Sequence, residues 1–449
     1  MANTLVPGQV RVGQLVDTNE DDGRPVQSAA LTFDPARGVE VLVPYVRGME
    51  QFATAVRWFH AATPPKALLF VDELGTVTLT GVGWRGDSGT ACGTGRLGAS
   101  VAVFGQPRRL KEEYRIREMR SSIDGLAGFA DFRPVDYDFP NRGEPAVITL
   151  DDSAMATWRS SGFTYSLGAR AAWSGSLGTS FAATAVPFIS THRARGATPA
   201  EHLRAQWAIR DLLLFVHGRK LAWRSHRVID DQFPLFTLDG ATHGPDPAET
   251  HFSGTVAEHA LPEPSGTSLA FPPLRLAALG STGLKRWTDL YADDRFRRAA
   301  QPVAEVINGA ATFLEPQLMM LAAALDYFGY YRYADRKSRP MHASILKCLD
   351  SAELDWPTIG TRAGIARAIS NVNNDLKHPD REQRPDSDAL RGVTALARVI
   401  ARAQVFDLLH IDAAVRPAFL RSIDGRRPIE MFSSSGLTIA DDGKFLRNA

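Results

Sequence analysis

The sequence predicts an α+β fold: a β-rich N-terminal domain, either a sandwich or an irregular barrel, followed by an all-α helical domain. Three observations predict it. Up to about residue 190, short apolar or alternating runs are punctuated by Gly, Pro, Asp and Asn, the pattern of short strands joined by turns. From Asp239 to Pro273 the composition shifts, with Pro245, Pro247, Pro262, Pro264, Pro272 and Pro273 crowded among Gly240, Gly244, Gly254 and Gly266. Beyond that stretch, apolar residues recur at helical spacing almost to residue 415. The expected division is 1–238 for the β-rich domain, 239–273 for an extended connection and 274–425 for the helical domain.

At 449 residues the chain is long enough for two or three domains with sizeable cores. Its 44% hydrophobic and 22% charged content is that of an ordinary globular protein. Lys plus Arg number 51 against 50 Asp plus Glu, and a balance of +1 exerts no global pull on nucleic acid or membrane. Any contact with RNA must therefore be a local patch. Cys92 and Cys348 stand far apart, which supports neither a disulfide framework nor a cysteine zinc site and suits a reducing cytoplasm. The N-terminus has no apolar core of signal-peptide type. The strongest apolar run, Leu318 to Leu325, is interrupted by Asp326 and is too short for a bilayer. A cytoplasmic protein without membrane contact is expected.

Val10 to Val16, Val39 to Val43, Ala67 to Val71, Val77 to Val82, Ala99 to Phe104 and Ala146 to Leu150 read as strands, with a turn between Phe70 and Thr78. Gly93-Thr94-Gly95-Arg96-Leu97-Gly98 has dinucleotide-binding spacing, but the strand pattern Ala99 to Phe104 follows it. Without a helix N-terminus for the pyrophosphate, the motif loses its mechanism. One helix interrupts the strands. Thr198-Pro199-Ala200-Glu201 combines an N-cap, Pro at the first helical position and Glu completing a capping box. Leu203, Trp207, Leu213 and Leu214 follow on one broad face, and Gly218 ends the pattern. Arg219 to Ile229 and Phe233 to Leu238 return to strand. In the connection, His243, Asp246, Glu249, His251, Glu258 and His259 are residue types that bind metals, yet their spacing matches no zinc pattern. No metal or cofactor is expected.

In the helical part, Leu314, Leu318, Leu321, Leu325 and Phe328 make a core stripe between about Thr312 and Tyr333. Met319, Ala323, Asp326 and Tyr330 make a second, mostly apolar face. A helix apolar on two faces is buried on both, at the centre of one bundle or against a second subunit. It runs into a stretch where Arg332, Arg336, Lys337 and Arg339 interleave with Tyr330, Tyr331 and Tyr333. Such cations and rings suit the phosphates and unpaired bases of RNA, and they suit a solvated helix end as well.

The most pointed polar chemistry lies at Asn371-Val372-Asn373-Asn374-Asp375-Leu376-Lys377-His378-Pro379-Asp380. Ile365, Ile369, Val372 and Leu376 form one apolar stripe. Arg367, Asn371, Asn374 and His378 follow the same steps on the opposite face. Pro379 puts His378 in the last turn. Helix physics alone favours a solvated face whose Lys377-His378 end meets the negative end of the dipole.

Residues 373–378, Asn-Asn-Asp-Leu-Lys-His, resemble the signature of HEPN domains, helical modules of many prokaryotic ribonucleases and toxins. That signature is an arginine, a polar residue, a few residues and a histidine. Asn374 stands at the polar position, His378 at the histidine, and Asn373 where the family has arginine. Met119-Arg120-Ser121-Ser122-Ile123-Asp124-Gly125-Leu126 resembles the Ser-Ile-x-Gly-Leu element of ApeA-type anti-phage HEPN proteins. The turn at Asp72 to Thr78, the helix His202 to Gly218 and Lys220-Leu221-Ala222-Trp223 are also similar to that family, so the resemblance spans most of the chain.

The resemblance implies anti-phage defence by metal-independent RNA cleavage, in which a ribose 2′-hydroxyl attacks the adjacent phosphate. His378 would be general base or acid. Asn374 would bind the phosphate or orient His378, and Asp326 would orient His378. RNA is the implied partner, with a phage component sensed by the N-terminal domain. Asn373 supplies no cation, so Arg367 is the substitute on the same face. Eleven residues at helical rise place it ~16 Å from His378, within reach only across a dimer or by a bend. Lys377 is nearer but points to another side. A homodimer with a composite site is expected. The alternative, favoured by Asn373, is a non-catalytic HEPN-like module that binds RNA or a protein; a purely structural dimerisation domain is a third reading.

Overall fold

The β-rich region is organised by one antiparallel sheet, part of which closes on itself. The computed structural model describes residues 3–16, 26–60, 64–105, 114–131, 135–138, 147–151, 153–175, 180, 182–236, 240–264, 269–335, 337–378, 380, 385–410 and 414–447. Strands β1 (Val10–Val16), β2 (Val26–Asp34), β3 (Gly38–Val46), β4 (Ala67–Asp72), β5 (Gly75–Gly89) and β6 (Cys92–Val103) pair in the order β6-β3-β2-β1-β4-β5, and β5 returns to β6. Of the two expected architectures this is the barrel. Leu15, Leu31, Val41, Val43, Phe70, Val77, Leu79 and Leu97 alternate inward to fill it. Helix α1 (Ala53–His60) contributes Ala55, Trp58 and Phe59 to the same core. A Cβ on Gly95 would lie 2.1 Å from the Phe59 ring. The Gly-rich stretch of β6 is therefore barrel wall, its glycines leaving room for rings rather than for a pyrophosphate.

Downstream come β7 (Ile116–Ile123), α2 (Leu126–Ala130), a side pair β8 (Val135–Asp138) and β9 (Val147–Leu150), β10 (Ala156–Ser160), β11 (Phe163–Ser174), β12 (Ala182–Ala197), α3 (Pro199–His217), β13 (Trp223–Ile229), a side pair β14 (Pro234–Phe236) and β15 (Thr242–Pro245), β16 (Ala248–Phe252) and the short α4 (Val256–His259). The order β10-β11-β12-β7-β13-β16 joins the barrel at β6. β6 serves both halves: Cys92 to Gly98 pair with β3, and Val101 to Val103 pair with β16. The stretch expected as an extended connection thus supplies an interior strand. Thr250, His251 and Phe252 are buried there. Its polar groups are matched by distant partners: Glu258 accepts from Arg210 Nη2 and from Trp223 N, each at 2.9 Å.

The helical region follows as α5 (Leu276–Ala292), α6 (Asp294–Ile307), α7 (Leu314–Arg332), α8 (Met341–Ser351), α9 (Arg362–Lys377), α10 (Ser387–Leu408), α11 (Val415–Arg421) and α12 (Ile423–Ser435). A hairpin of β17 (Leu437–Ile439) and β18 (Phe445–Arg447) extends beyond the expected limit at residue 425. Of the predicted α7 stripe, Leu318, Leu321, Leu325 and Phe328 are fully buried and Leu314, at the start of the helix, is half-buried. Among the described residues, no helix is long and apolar enough to cross a membrane.

Helix α3 lies between the sheet and the helices. Its capping box is complete: Thr198 Oγ1 accepts from Glu201 N, and Glu201 Oε2 accepts from Thr198 N at 2.8 Å. Gly218 closes it in the left-handed region. Several polar side chains on this buried helix bond to the β-rich region. His202 Nε2 donates to Ile116 O at 3.2 Å, so its Nδ1 accepts from the Thr191 hydroxyl at 2.9 Å. Thr191 Oγ1 in turn accepts from Gln206 Nε2, which also donates to Met119 O. His217 Nε2 donates to Gly125 O at 3.0 Å.

Burial pushes His202 and His217 down to about 4 from an ordinary value of 6.5. Both are neutral in the fold and take a proton readily only when it opens. Between those two values the unfolded chain binds more protons, so stability is complete above 6.5 and is lost as pH falls toward 4. Each histidine accounts for a loss of roughly 3 kcal/mol across that window. The expected outcome is a urea midpoint that falls steadily from about pH 7 to about pH 4.5, with a shallower slope in His202→Gln. A pH-independent midpoint, or an unchanged slope in the variant, would contradict this network.

Candidate functional site

Helix α9 begins where Thr361 Oγ1 accepts from Gly364 N at 3.1 Å. It ends at His378, whose N–H reaches Asn374 O at 3.1 Å while its backbone turns extended. Ile365, Ile369 and Val372 are buried. On the other side Arg367, Asn371 and His378 are exposed and Asn374 is half-buried, the alternation that the sequence predicts. Among the described residues, the His378 imidazole has neither a side-chain hydrogen bond nor an ion pair.

The first two members of that polar stripe are occupied. The turn of the C-terminal hairpin lies on them: Arg367 Nη1 donates to Asp441 O at 2.6 Å, and Asn371 Nδ2 to Asp442 O at 3.5 Å. Thr361 Oγ1 donates to Asp441 Oδ1 at 2.6 Å. Two glycines let the hairpin approach. A Cβ on Gly443, which has a φ of 86°, would lie 2.8 Å from Ala368 N, and one on Gly364 would lie 2.5 Å from Ala440 O. Arg367 is therefore a ligand of the chain's own C-terminal turn. The sequence carried a signal for this hairpin in Asp442-Gly443, set between two short apolar runs.

The other expected site residues separate. Asn373, at the arginine position of the signature, is fully buried. Its Nδ2 faces Met341 Sδ at 3.5 Å, and its Oδ1 has no partner. A buried amide touches no substrate from solvent, so the structure sets Asn373 apart from Asn374 and His378. Asp326 is half-buried on α7. Its charge acts on Cys348, a thiol that burial pushes up to about 12 with Asp326 adding to the effect. No hydrogen bond joins Asp326 to His378 among the described residues.

The expected RNA patch divides in the same way. Arg332 is tied inward, with Nη1 on Asp407 Oδ2 at 2.9 Å and Nη2 donating to Gln404 O at 3.4 Å. Arg339 pairs with Asp335 at 2.8 Å and lies over the Tyr333 ring at 4.0 Å. Arg336 lies outside the described residues. Lys337 and Lys377 are exposed, with no ion pair among the described residues. The second face of α7 stays uncovered in the single chain: Met319 and Ala323 are half-buried, and Tyr327 and Tyr330 are exposed.

The metal-type residues of the strand β16 region do not converge. His226 joins His251 and His259 in a ring cluster, but its nitrogens meet the hydroxyls of Ser121 at 2.8 Å and Thr255 at 2.9 Å. His251 Nε2 bonds Glu249 Oε1 at 2.8 Å. Among the described residues, no three His, Cys, Asp or Glu side chains are placed to hold a metal ion; the His243 side chain lies outside them. A cavity of about 700 Å³, between β11, α3, α5 and α6, contains none of the motif residues. Its chemistry is Asp211, pushed up to about 7 by burial and by Glu305 against the hydrogen bond from Tyr291. The signal for it in the sequence was a charged pair, Arg210-Asp211, inside an otherwise apolar helical run.

No family model, curated protein or solved structure matches the chain. The reading of the site therefore rests on its residues and on the resemblance of its motif.

The different burial of adjacent residues gives a direct test. Asn374→Ala and His378→Ala should change stability by no more than about 0.5 kcal/mol in a denaturant titration. Asn373→Leu, which removes a buried unpaired oxygen, should be neutral or stabilising. Asn373→Arg should lower stability by about 3–5 kcal/mol, because the guanidinium would be buried unpaired. Tolerance of arginine at 373 would show that this position opens to solvent.

Proposed function

We propose that the chain is an anti-phage endoribonuclease that cleaves RNA without a metal, as a homodimer, through His378 and Asn374. The observation that carries this reading is the last turn of α9, a solvent-open helix end whose imidazole has no partner among the described residues and lies one turn from a half-buried amide. Imidazole both accepts and donates a proton near neutral pH. His378 takes the proton of a ribose 2′-hydroxyl, the 2′-oxygen bonds to phosphorus, and the bond to the 5′-oxygen breaks. That oxygen takes up a proton, leaving a 2′,3′-cyclic phosphate and a 5′-hydroxyl. The reaction needs one base and one acid. A two-fold pairing of α9 ends brings His378 of each chain to one cleft, and the uncovered face of α7 offers Met319, Ala323, Tyr327 and Tyr330 as its dry surface. Asn374 hydrogen-bonds the phosphate. Lys377 is the exposed cation nearest in sequence. Arg367 contributes in trans only on releasing Asp441 O.

A second reading is a module that binds RNA without cutting it. The burial of Asn373 favours it, since no cation then stands at the signature's arginine position beside His378. The two are separated by incubating purified protein with total RNA, with and without chelator. Nuclease chemistry predicts fragments ending in a cyclic phosphate, insensitivity to chelation, and a loss of about 10²-fold or more in His378→Ala. Binding to RNA without fragments, equal in wild type and His378→Ala, would establish the binding module. Loss of cleavage on chelation would overturn the metal-free mechanism.

A further inference from the structure

A second group of cations lies on helices α10 and α12. Arg391, Arg398 and Arg402 follow one another at steps of seven and four, hence on one side of α10. That side meets Arg427 and Asp424 of α12 across a cavity of about 140 Å³. Four guanidiniums share one carboxylate, and the carboxylate is already engaged. Asp424 Oδ2 binds Arg402 Nη1 at 2.7 Å. The remaining donors of Arg402 go to the last turn of α3, Nε to Phe215 O at 2.8 Å and Nη2 to Val216 O at 3.1 Å.

The other three arginines are left short of acceptors. Arg398 makes one long bond, from Nη2 to Val306 O at 3.4 Å, and its Nε is buried with no partner. Arg391 and Arg427 are exposed at the rim and have neither an ion pair nor a side-chain hydrogen bond among the described residues. Burial pushes Arg398 below the ordinary guanidinium range, with Arg427 adding to the effect and Asp424 opposing it. Four guanidiniums against Asp424 leave a surplus of positive charge on this cavity, with Asp388 beside Arg391 in the adjoining pocket, and Arg398 and Arg402 are the desolvated members.

We propose that this cavity binds the phosphoryl group of a small-molecule ligand. A guanidinium presents a fork of donors that matches two oxygens of a tetrahedral oxyanion, and Arg391 and Arg427, with their forks unspent among the described residues, line one space with Arg398. A dianion answers more of the surplus than a carboxylate does. The volume is close to the ~150 Å³ that admits a benzene-sized molecule, enough for a phosphoryl group and too small for a nucleoside with it. Any remainder of the ligand lies outside, past Arg391. The site also borders the junction of the two regions, because Arg402 holds both Asp424 and the end of α3. The readout below is binding, so it stands apart from the ribonuclease reading.

Isothermal titration of the full chain with inorganic phosphate, and separately with ATP, at constant ionic strength tests the proposal. The variant is the double substitution Arg391→Gln with Arg427→Gln, both at exposed positions, with a thermal melt confirming its fold. Wild type should bind at least one of the two saturably at a single site, and the variant should bind it at least about tenfold more weakly, the loss expected from two charge-assisted hydrogen bonds. Equal affinity for the two makes the site one for free phosphate, and tighter binding of ATP makes it one for a nucleotide's phosphate. Absence of saturable binding to wild type, or binding that the variant retains, overturns the proposal.

Discussion

Arg402 places all three of its nitrogens at once, on Phe215 O, Val216 O and Asp424 Oδ2, while only 1% exposed. Every helix ends in carbonyls without a partner in the helix, and α3 ends deep in the molecule. A guanidinium from α10 takes two of those carbonyls, and Gly218 turns the chain away beneath it. A Cβ at Gly218 would lie 2.3 Å from Arg402 Nη1, so glycine is required there for close approach as well as for its left-handed backbone. Burying a guanidinium is unfavourable unless its donors are used, and here they are. The consequence is a core shared by the helices and the sheet beside the barrel, next to the barrel's own core. Val103 and Val228 of the sheet, Phe215 of α3 and Phe406 and Phe419 of the last helices belong to one apolar cluster. The helical region is packed onto the β-rich region through α3, not tethered to it by a linker.

That constraint explains what the sequence made legible and what it hid. Local rules read well wherever a local group decides. The capping box at Thr198 and Glu201, the stop at Gly218, the α7 stripe and the alternation along α9 all depend on residues within a few positions of each other. The barrel was half legible. Strand alternation is the same in a sandwich as in a barrel, and closure is decided by pairings such as Gln14 with Val71, across a long stretch of chain. Strand β16 was hidden for the opposite reason. Its five residues are short, polar and preceded by Pro245 and Pro247, the composition of a loop. It is a buried strand because its partners come from afar, β13 on one edge and β6 on the other.

The polar residues of α3 illustrate the same limit. His202, Gln206, Arg210 and Asp211 break an otherwise apolar helix, which in sequence reads as a polar face for solvent. In the fold each has a partner from another element: Thr191 and Ile116, Met119, Glu258, and Tyr291. A polar residue on a helix reports exposure only when the helix has an exposed side, and α3 is buried nearly all round. Arg391 and Arg427 were hidden for a related reason. They are two arginines among many, on separate helices, and only the packing of α10 against α12 brings them to one cavity.

Helical phase decides the remaining question, which residues of the α9 motif can act together. Position 373 follows Ile369 by one turn and Ala366 by two, and both are buried, so whatever residue stands at 373 points inward. Position 374 follows Arg367 by two turns and precedes His378 by one, so it stays on the open side. Neighbours in sequence are thus divided by one step of the helix, and a signature read as a string joins residues that the helix separates. The C-terminal hairpin sharpens the division. By taking Arg367 and Asn371 it leaves the open side with its two last members, Asn374 and His378, at the helix end. Within one chain that end has a proton carrier and a hydrogen-bonding amide, and among the described residues no guanidinium is hydrogen-bonded to either side chain. The helical region does hold guanidiniums in excess of carboxylates, but it gathers them between α10 and α12. Under the proposed reaction, the described residues offer positive charge at His378 from Lys377, from a second copy of the chain, or from movement of the hairpin off Arg367.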